Sequence, residues 1–347
     1  MFITQNRQYY LYMTFVSARA EFACESPLFA LILSNSVVSM IPGVSGAGED
    51  PESSLYVPPL DAELIINGEL SGDLTPNTPT GCPTPASITL SMMDLIGMKP
   101  LLIAAGLNKE VIVPHMNLGE KAGGDPREGS AVPNARALFE KGRWIGEFLS
   151  QSHDLLVLGE CLPGGTTTAL CVLRALGYNA KVSSAQITNP VALKEEIAAK
   201  AVDLVKKAGI TDPLDIAAEI GDPMMPVAAG IAEGFRGKLF LAGGTQMLAV
   251  AAVCAALGNP VPDVVTTTYV YNDASASFKE TAAAIGADSY FVDPEFASIG
   301  HPGLARYAQG EIKEGSGAGG AMFLASILGF TPEQIRTSIR EHVTRYN

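Results

Sequence analysis

The sequence predicts a doubly wound α/β fold: a mainly parallel sheet with helices on both faces, plus a smaller helical lobe made from the two ends of the chain. Three observations predict it. Short apolar runs recur through the middle of the chain, each followed by a glycine-bearing turn and then by an alanine-rich amphipathic stretch, which is the rhythm of strand, turn and crossover helix. The runs are apolar on both faces, as expected of strands covered on both sides. Charged residues are only 17% of 347 and hydrophobic ones 47%, with 35 glycines, a balance that suits a compact α/β protein with many tight turns.

Taken in order, Lys99 to Gly106 reads as one strand and Asp154 to Gly159 as a second, followed by a helix over about Thr167 to Leu176. Two helices cover about Asn189 to Ala208 and about Asp212 to Phe235, the second interrupted at Asp222-Pro-Met-Met-Pro226. Lys238 to Gly244 is a strand with its helix over about Thr245 to Leu257, and Asp263 to Tyr271 and Asp288 to Asp293 are two more strands. Thr331-Pro-Glu-Gln334 carries a capping threonine, a first-turn proline and a glutamine that completes a capping box, so a surface helix runs on to about Arg345. Residues 25–320 form the large Rossmann-like domain that carries the site, and residues 1–24 with 321–347 form the smaller lobe. Ile41 to Gly48 and Thr75 to Pro85 hold too much proline and glycine for regular structure; they are connecting loops or functional ones.

Composition excludes several classes of function. A net charge of −13, with 23 scattered lysines and arginines, argues against nucleic acid as a partner. Five cysteines without a C-x-x-C pair and four dispersed histidines argue against a structural metal. No run reaches the roughly 18 apolar residues of a membrane span. The segment Tyr9 to Val16 has a faint likeness to a signal sequence, but its tyrosines weigh against that, and a cytoplasmic protein is expected. No G-x-G-x-x-G opens a helix after the first strand and no G-x-x-x-x-G-K-[ST] is present, which weakens a dehydrogenase or kinase reading.

The chemistry concentrates in two glycine loops. In Leu155-Leu-Val-Leu-Gly-Glu-Cys-Leu-Pro-Gly-Gly-Thr-Thr-Thr168 a buried strand turns through Gly164 and Gly165 into a helix, whose threonines can cap it and whose free N–H groups favour an anion. Glu160 ends the strand. In Glu311-Ile-Lys-Glu-Gly-Ser-Gly-Ala-Gly-Gly320, Glu314 stands directly before a second glycine-rich helix entry. Cys161, near a helix N-terminus, is either a small buried hydrophobe or a thiol of lowered pKa.

Together these loops resemble the nicotinate-nucleotide:dimethylbenzimidazole phosphoribosyltransferase family and its archaeal and cyanobacterial-type relatives. The family's Gly-Glu-Met-Gly-Ile-Gly-Asn-Thr-Thr looks like Gly159-Glu-Cys-Leu-Pro-Gly-Gly-Thr-Thr167, and its Gly-Glu-Gly-Ser/Thr-Gly-Ala looks like Lys313-Glu-Gly-Ser-Gly-Ala318. Leu241-Ala-Gly-Gly244 stands where the family has a strand ending in Asp-Gly, and Ser298-Ile-Gly-His-Pro-Gly-Leu304 resembles its Ser-x-Glu-Pro-Gly-His segment. The likeness runs over about residues 150–330. Two departures are Leu162 in place of a loop glycine and Ala242 in place of an aspartate. The N-terminal part, with Ile41 to Gly48 and Asp61-Ala-Glu63, looks like the relatives rather than the best-known bacterial form.

The resemblance implies transfer of ribosyl phosphate from nicotinate mononucleotide to an aromatic base, giving an α-ribotide for the lower ligand of a cobamide, with no cofactor and no metal, in a homodimer. Glu314 is then the general base and Glu160 a second carboxylate. Gly164, Gly165, Thr166 and Thr167 hold the phosphate, with Lys194 adding charge, and Gly315, Ser316, Gly317, Gly243 and Ser298 contact substrate. Plainer readings stand beside these: Lys194 as a solvated helix lysine, Glu160 as a strand-end cap, Glu314 as an acid that only complements a helix dipole. A non-catalytic homologue that binds a nucleotide or vitamin precursor is the rival of another class.

Overall fold

The computed structural model describes residues 15–17 and 24–346. Seven strands, β1 (Pro27–Leu33), β2 (Leu101–Ala104), β3 (Met116–Asn117), β4 (Leu155–Cys161), β5 (Lys238–Ala242), β6 (Asp263–Thr267) and β7 (Ser289–Val292), form one sheet in the order β3-β2-β1-β4-β5-β6-β7. Every neighbouring pair is parallel. The order reverses between β1 and β4, whose ends Leu33 and Cys161 are in register, and an open parallel sheet has its ligand crevice at such a switch point.

The expected α/β architecture with helices on both faces is what the chain adopts. Side chains of β1 and β4 alternate between two cores: Leu28, Ala30, Ile32, Leu156 and Leu158 pack on one face, and Phe29, Leu31, Leu33, Leu155 and Val157 on the other. The first core lies under the central helices, among them Gly165–Ala175, Val191–Ala208 and Thr245–Ala256. The second lies under Val57–Asn67, Pro85–Ile96, Ala318–Ile327 and Pro332–Val343. The capping box at Thr331 and Gln334 forms as its residues predict. Of the segment 1–24 expected in a smaller lobe, residues 1–14 and 18–23 lie outside the described residues, as does most of the signal-like segment.

Several elements differ from the expectation. β1, the central strand, has no predicted counterpart, because it lies outside the strand–glycine–helix rhythm and is followed by a 3₁₀ turn at Val37–Met40. The run Asp263 to Tyr271 is a strand only to Thr267, where its pairing with β7 ends at Val292; Thr268–Tyr271 is a helical turn. The first helix after β4 is not capped by a threonine. Gly164, at φ +79°, is its N-cap, and the threonines occupy the first turn. By contrast, the interruption expected at Asp222 in the Asp212 to Phe235 stretch is present: it divides two helices, Pro213–Ile220 and Met224–Gly234, where the Asp222 carboxylate accepts the Met225 N–H at 3.2 Å.

The helices Ala135–Leu149 and Met224–Gly234 meet backbone to backbone through Gly142, Gly146, Gly230 and Gly234. A Cβ added at any of the four would lie 2.0–2.4 Å from a carbonyl oxygen of the other helix. No side-chain rotation relieves such a clash, so Gly230→Ala is expected to destabilise the fold by about 3 kcal/mol, in the upper range of overpacking. Urea unfolding would register it as a lower midpoint at unchanged slope; a midpoint equal to the parent's would mean that the helices can part cheaply.

Candidate functional site

A cleft opens over the carboxyl end of β4. It encloses about 850 Å³ of empty space, its mouth included, and Glu160, Gly164, Gly165, Thr166, Glu314 and Ser316 are among its walls. The two glycine loops are far apart in sequence but face each other here. β4 carries Glu160 to its end, and the chain then turns at Gly164 into the Gly165–Ala175 helix, whose N-terminus faces the cleft. Opposite, Gly317 at φ +66° opens the Ala318–Ile327 helix. The two backbones nearly touch, since a Cβ at Gly159 would lie 3.1 Å from the Gly317 Cα.

Glu314 caps the second helix and keeps half of its carboxylate unused. Its Oε1 accepts the Gly315 and Gly319 N–H groups at 3.2 and 3.1 Å, whereas the buried Oε2 has no hydrogen-bond partner among the described residues. The dipole-complementing reading therefore accounts for one oxygen only. Burial pushes the Glu314 carboxyl up to about 7, with the backbone N–H groups opposing. Glu160 is driven well above the usual carboxylate range by burial first and then by the Glu314, Asp222 and Asp61 carboxylates. Both carboxyls are thus held above the usual carboxylate range, and the Glu314 charge acts directly on Glu160.

Lys194 is not a solvated helix lysine. It is 1% exposed, and its Nζ donates to Thr166 Oγ1 at 2.9 Å and to the Ser183 carbonyl at 2.7 Å, so it braces the helix entry against the segment after Ala180. Burial, helped by the nearby Lys313 charge, lowers it to about 7.

Other predicted residues stand apart from the cleft wall. Thr167 is buried and its hydroxyl has no hydrogen-bond partner among the described residues, and Gly243 leaves room for Glu160, whose Oε1 would be 3.0 Å from a Cβ placed there. Ser298 is exposed and donates to the Glu295 carbonyl at 3.0 Å, away from the cleft. Cys161 is a buried thiol that donates to Asp61 Oδ2 at 3.3 Å; burial and the adjacent carboxylates raise it well above its ordinary value, which removes the thiolate reading. Ala242 explains itself by packing: a Cβ at Gly320 would lie 2.2 Å from the Ala242 Cβ, so an aspartate here would push the second helix off the sheet.

Sequence reasoning missed the residues that close the site. Lys313 Nζ reaches the Ser184 carbonyl at 2.8 Å and pairs with Asp273 at 3.3 Å. Hydrogen bonds from Ser183 and Ser275 outweigh burial and keep Asp273 below the usual carboxylate range. Asp222 accepts the Thr168 hydroxyl at 2.5 Å behind the phosphate-loop candidate. Asp61 accepts the Ser316 hydroxyl, and Thr89 donates to the Ser316 carbonyl at 2.8 Å, holding Ser316 at φ +48°. Both loops line the cleft, through Val44 to Gly48 and through Thr78 and Thr84.

No family model matches the chain. It is 42% identical over 321 residues to a UPF0284 protein of Thermococcus gammatolerans, covering 90% of this chain and 96% of that one. The chain belongs to the UPF0284 family. The UPF0284 proteins of Archaeoglobus fulgidus and Methanosarcina acetivorans are 37% and 40% identical over 332 and 329 residues, covering 95% and 91% of this chain and 96% and 93% of theirs. Among solved structures, CobT from Thermus thermophilus superposes with a TM-score of 0.58 at 15% identity, over 93% of this UPF0284 chain and 84% of that one. A second structure, of the nicotinate-nucleotide-dimethylbenzimidazole phosphoribosyltransferase of the same organism, gives 0.57 at 14% identity over 92% and 83%. What this UPF0284 protein shares with them is the fold. No helix among its described residues is long and apolar enough to cross a membrane.

Proposed function

We propose that this UPF0284 protein transfers ribosyl phosphate from nicotinate mononucleotide to an aromatic base, forming an α-ribotide of the kind used as a cobamide lower ligand. The observation that carries the reading is the half-free, buried carboxylate of Glu314, in one cleft with Glu160 and a glycine-lined helix N-terminus. The fold shared with proteins named for this reaction supports it.

Gly164, Gly165 and Thr166 receive the phosphate at the positive end of the helix. Lys194, already bound to the Thr166 hydroxyl, fixes that hydroxyl's direction, and an arriving phosphate favours its charged form. The bond between ribose C1′ and the pyridinium nitrogen breaks, and its electron pair neutralises the departing nicotinate. A ring nitrogen of the acceptor forms the new bond to C1′ from the opposite face. The proton of the acceptor's N–H goes to Glu314, whose elevated pKa matches the task. Glu160, held above the usual carboxylate range by burial and by the Glu314 carboxylate, serves as a hydrogen-bond donor and positioner rather than as a negative charge beneath the ribose. A homodimer and a cytoplasmic setting complete the proposal, the first to be measured by light scattering.

Incubation with nicotinate mononucleotide and a panel of aromatic bases, read by mass spectrometry, tests the reading. Equimolar nicotinate and α-ribotide are expected. Tight binding of the mononucleotide without release of nicotinate from any base would replace the transferase by a binding protein.

A further inference from the structure

The inner cleft continues outward into a second, larger hollow with about 1310 Å³ of empty space, its mouth included. Its walls include Leu60, Leu64, Leu70, Ile187 and Ile312, so they are largely apolar. One carboxylate belongs to both hollows: Asp61, near the middle of the Val57–Asn67 helix. It is 7% exposed. Two donors from two other elements, the Ser316 hydroxyl and the Cys161 thiol, converge on the same oxygen, Oδ2. Among the described residues Oδ1 has no protein hydrogen bond, and it is not among the buried unpartnered atoms, so it opens to the cleft that Asp61 lines.

A carboxylate with one oxygen locked and the other left over, set where a flat apolar ring would lie, discriminates among ligands by one contact. An ionised carboxylate only accepts, so it welcomes an N–H and repels a carbonyl or a ring lone pair. We infer that Asp61 reads the acceptor's edge, selecting aromatic bases that present an amino N–H there over bases of the same shape that present a carbonyl. The inference rests on the reading of this cleft as the site of an aromatic acceptor. It adds a specificity-determining residue apart from the pair Glu160 and Glu314. Burial raises Asp61 to about 6, with the Ser316 and Cys161 hydrogen bonds opposing, so it is ionised at pH 8.

The Asp61→Asn variant makes a directional test possible. The Ser316 hydroxyl and the Cys161 thiol both donate to the locked position, so the amide turns its oxygen to them and its NH2 toward the cleft. The preference should therefore invert, a result that mere loosening of the site does not produce. The measurement is calorimetric binding of 6-aminopurine and 6-oxopurine at pH 8, with nicotinate release from the mononucleotide followed separately. The parent is expected to bind the 6-amino base about 10-fold or more tightly than the 6-oxo base, Asp61→Asn to favour the 6-oxo base, and Asp61→Ala to favour neither. Circular dichroism checks that the variants fold, and the Ala variant carries the test if Asn does not.

Equal affinity of the parent for the two bases, no binding of either, or parallel loss of both in the variants would overturn the assignment. Nicotinate release indifferent to position 61 and to the 6-substituent removes Asp61 while leaving the transferase intact. The predicted switch in binding without nicotinate release removes the transferase and leaves Asp61.

Discussion

Glu314→Gln is expected to lower turnover about 10²- to 10⁴-fold with little change in affinity for nicotinate mononucleotide, because the amide keeps the size and the helix-capping oxygen and loses only the proton acceptor. The parent's rate should rise with pH through about 7, the value to which burial lifts this carboxyl, and the variant's residual rate should lose that limb. The apparent midpoint belongs to the Glu160–Glu314 pair, since the two carboxylates act on each other. Stability should move the opposite way. A carboxyl whose folded pKa is raised supports the fold below its unfolded value near 4.5 and loses that support as pH climbs to about 7. Above pH 7 the buried charge costs the parent roughly 3 kcal/mol relative to a neutral group, so Glu314→Gln should be the more stable protein at pH 8 and no more stable at pH 4. Turnover within threefold of the parent would take Glu314 out of the mechanism.

Gly165→Val is expected to weaken nicotinate mononucleotide about 10²-fold or more, the equivalent of one or two charge-assisted hydrogen bonds, while binding of a free base changes far less. Gly165 is the first residue of the helix and forms part of the cleft wall. The nearest atoms to a Cβ there belong to the Leu162 and Gln246 side chains, at 2.9–3.0 Å, and not to backbone. The branched side chain occupies the space in which an anion approaches the helix N-terminus, and circular dichroism checks that the variant folds. Gly164 makes a poorer test: at φ +79°, with the Ser39 backbone 2.9 Å from an added Cβ, its substitution would disturb the turn itself. Equal loss for phosphorylated and unphosphorylated ligands would move the phosphate to another part of the cleft.

Much of this protein was legible in its residues alone. The apolar runs at Leu155, Lys238 and Ser289 each form the strand expected of them, and the glycine turns lead into helices where predicted, because backbone freedom and apolar periodicity act within a few residues of where they are written. The acids Glu160 and Glu314 stood out for the same reason, each beside a glycine loop. What lay beyond the sequence were the facts that depend on partners far along the chain. Asp61 meets Ser316 across 255 positions and Lys194 meets Thr166 across 28; neither pairing leaves a local mark, and an isolated lysine in a helix looks solvated until a second element covers it. The central strand β1 escaped because an apolar run without a turn signal is ambiguous until its neighbours pair with it. Local sequence therefore determined the elements and the two loops. Only the tertiary structure decided which loops face one another and which carboxylates lose their water.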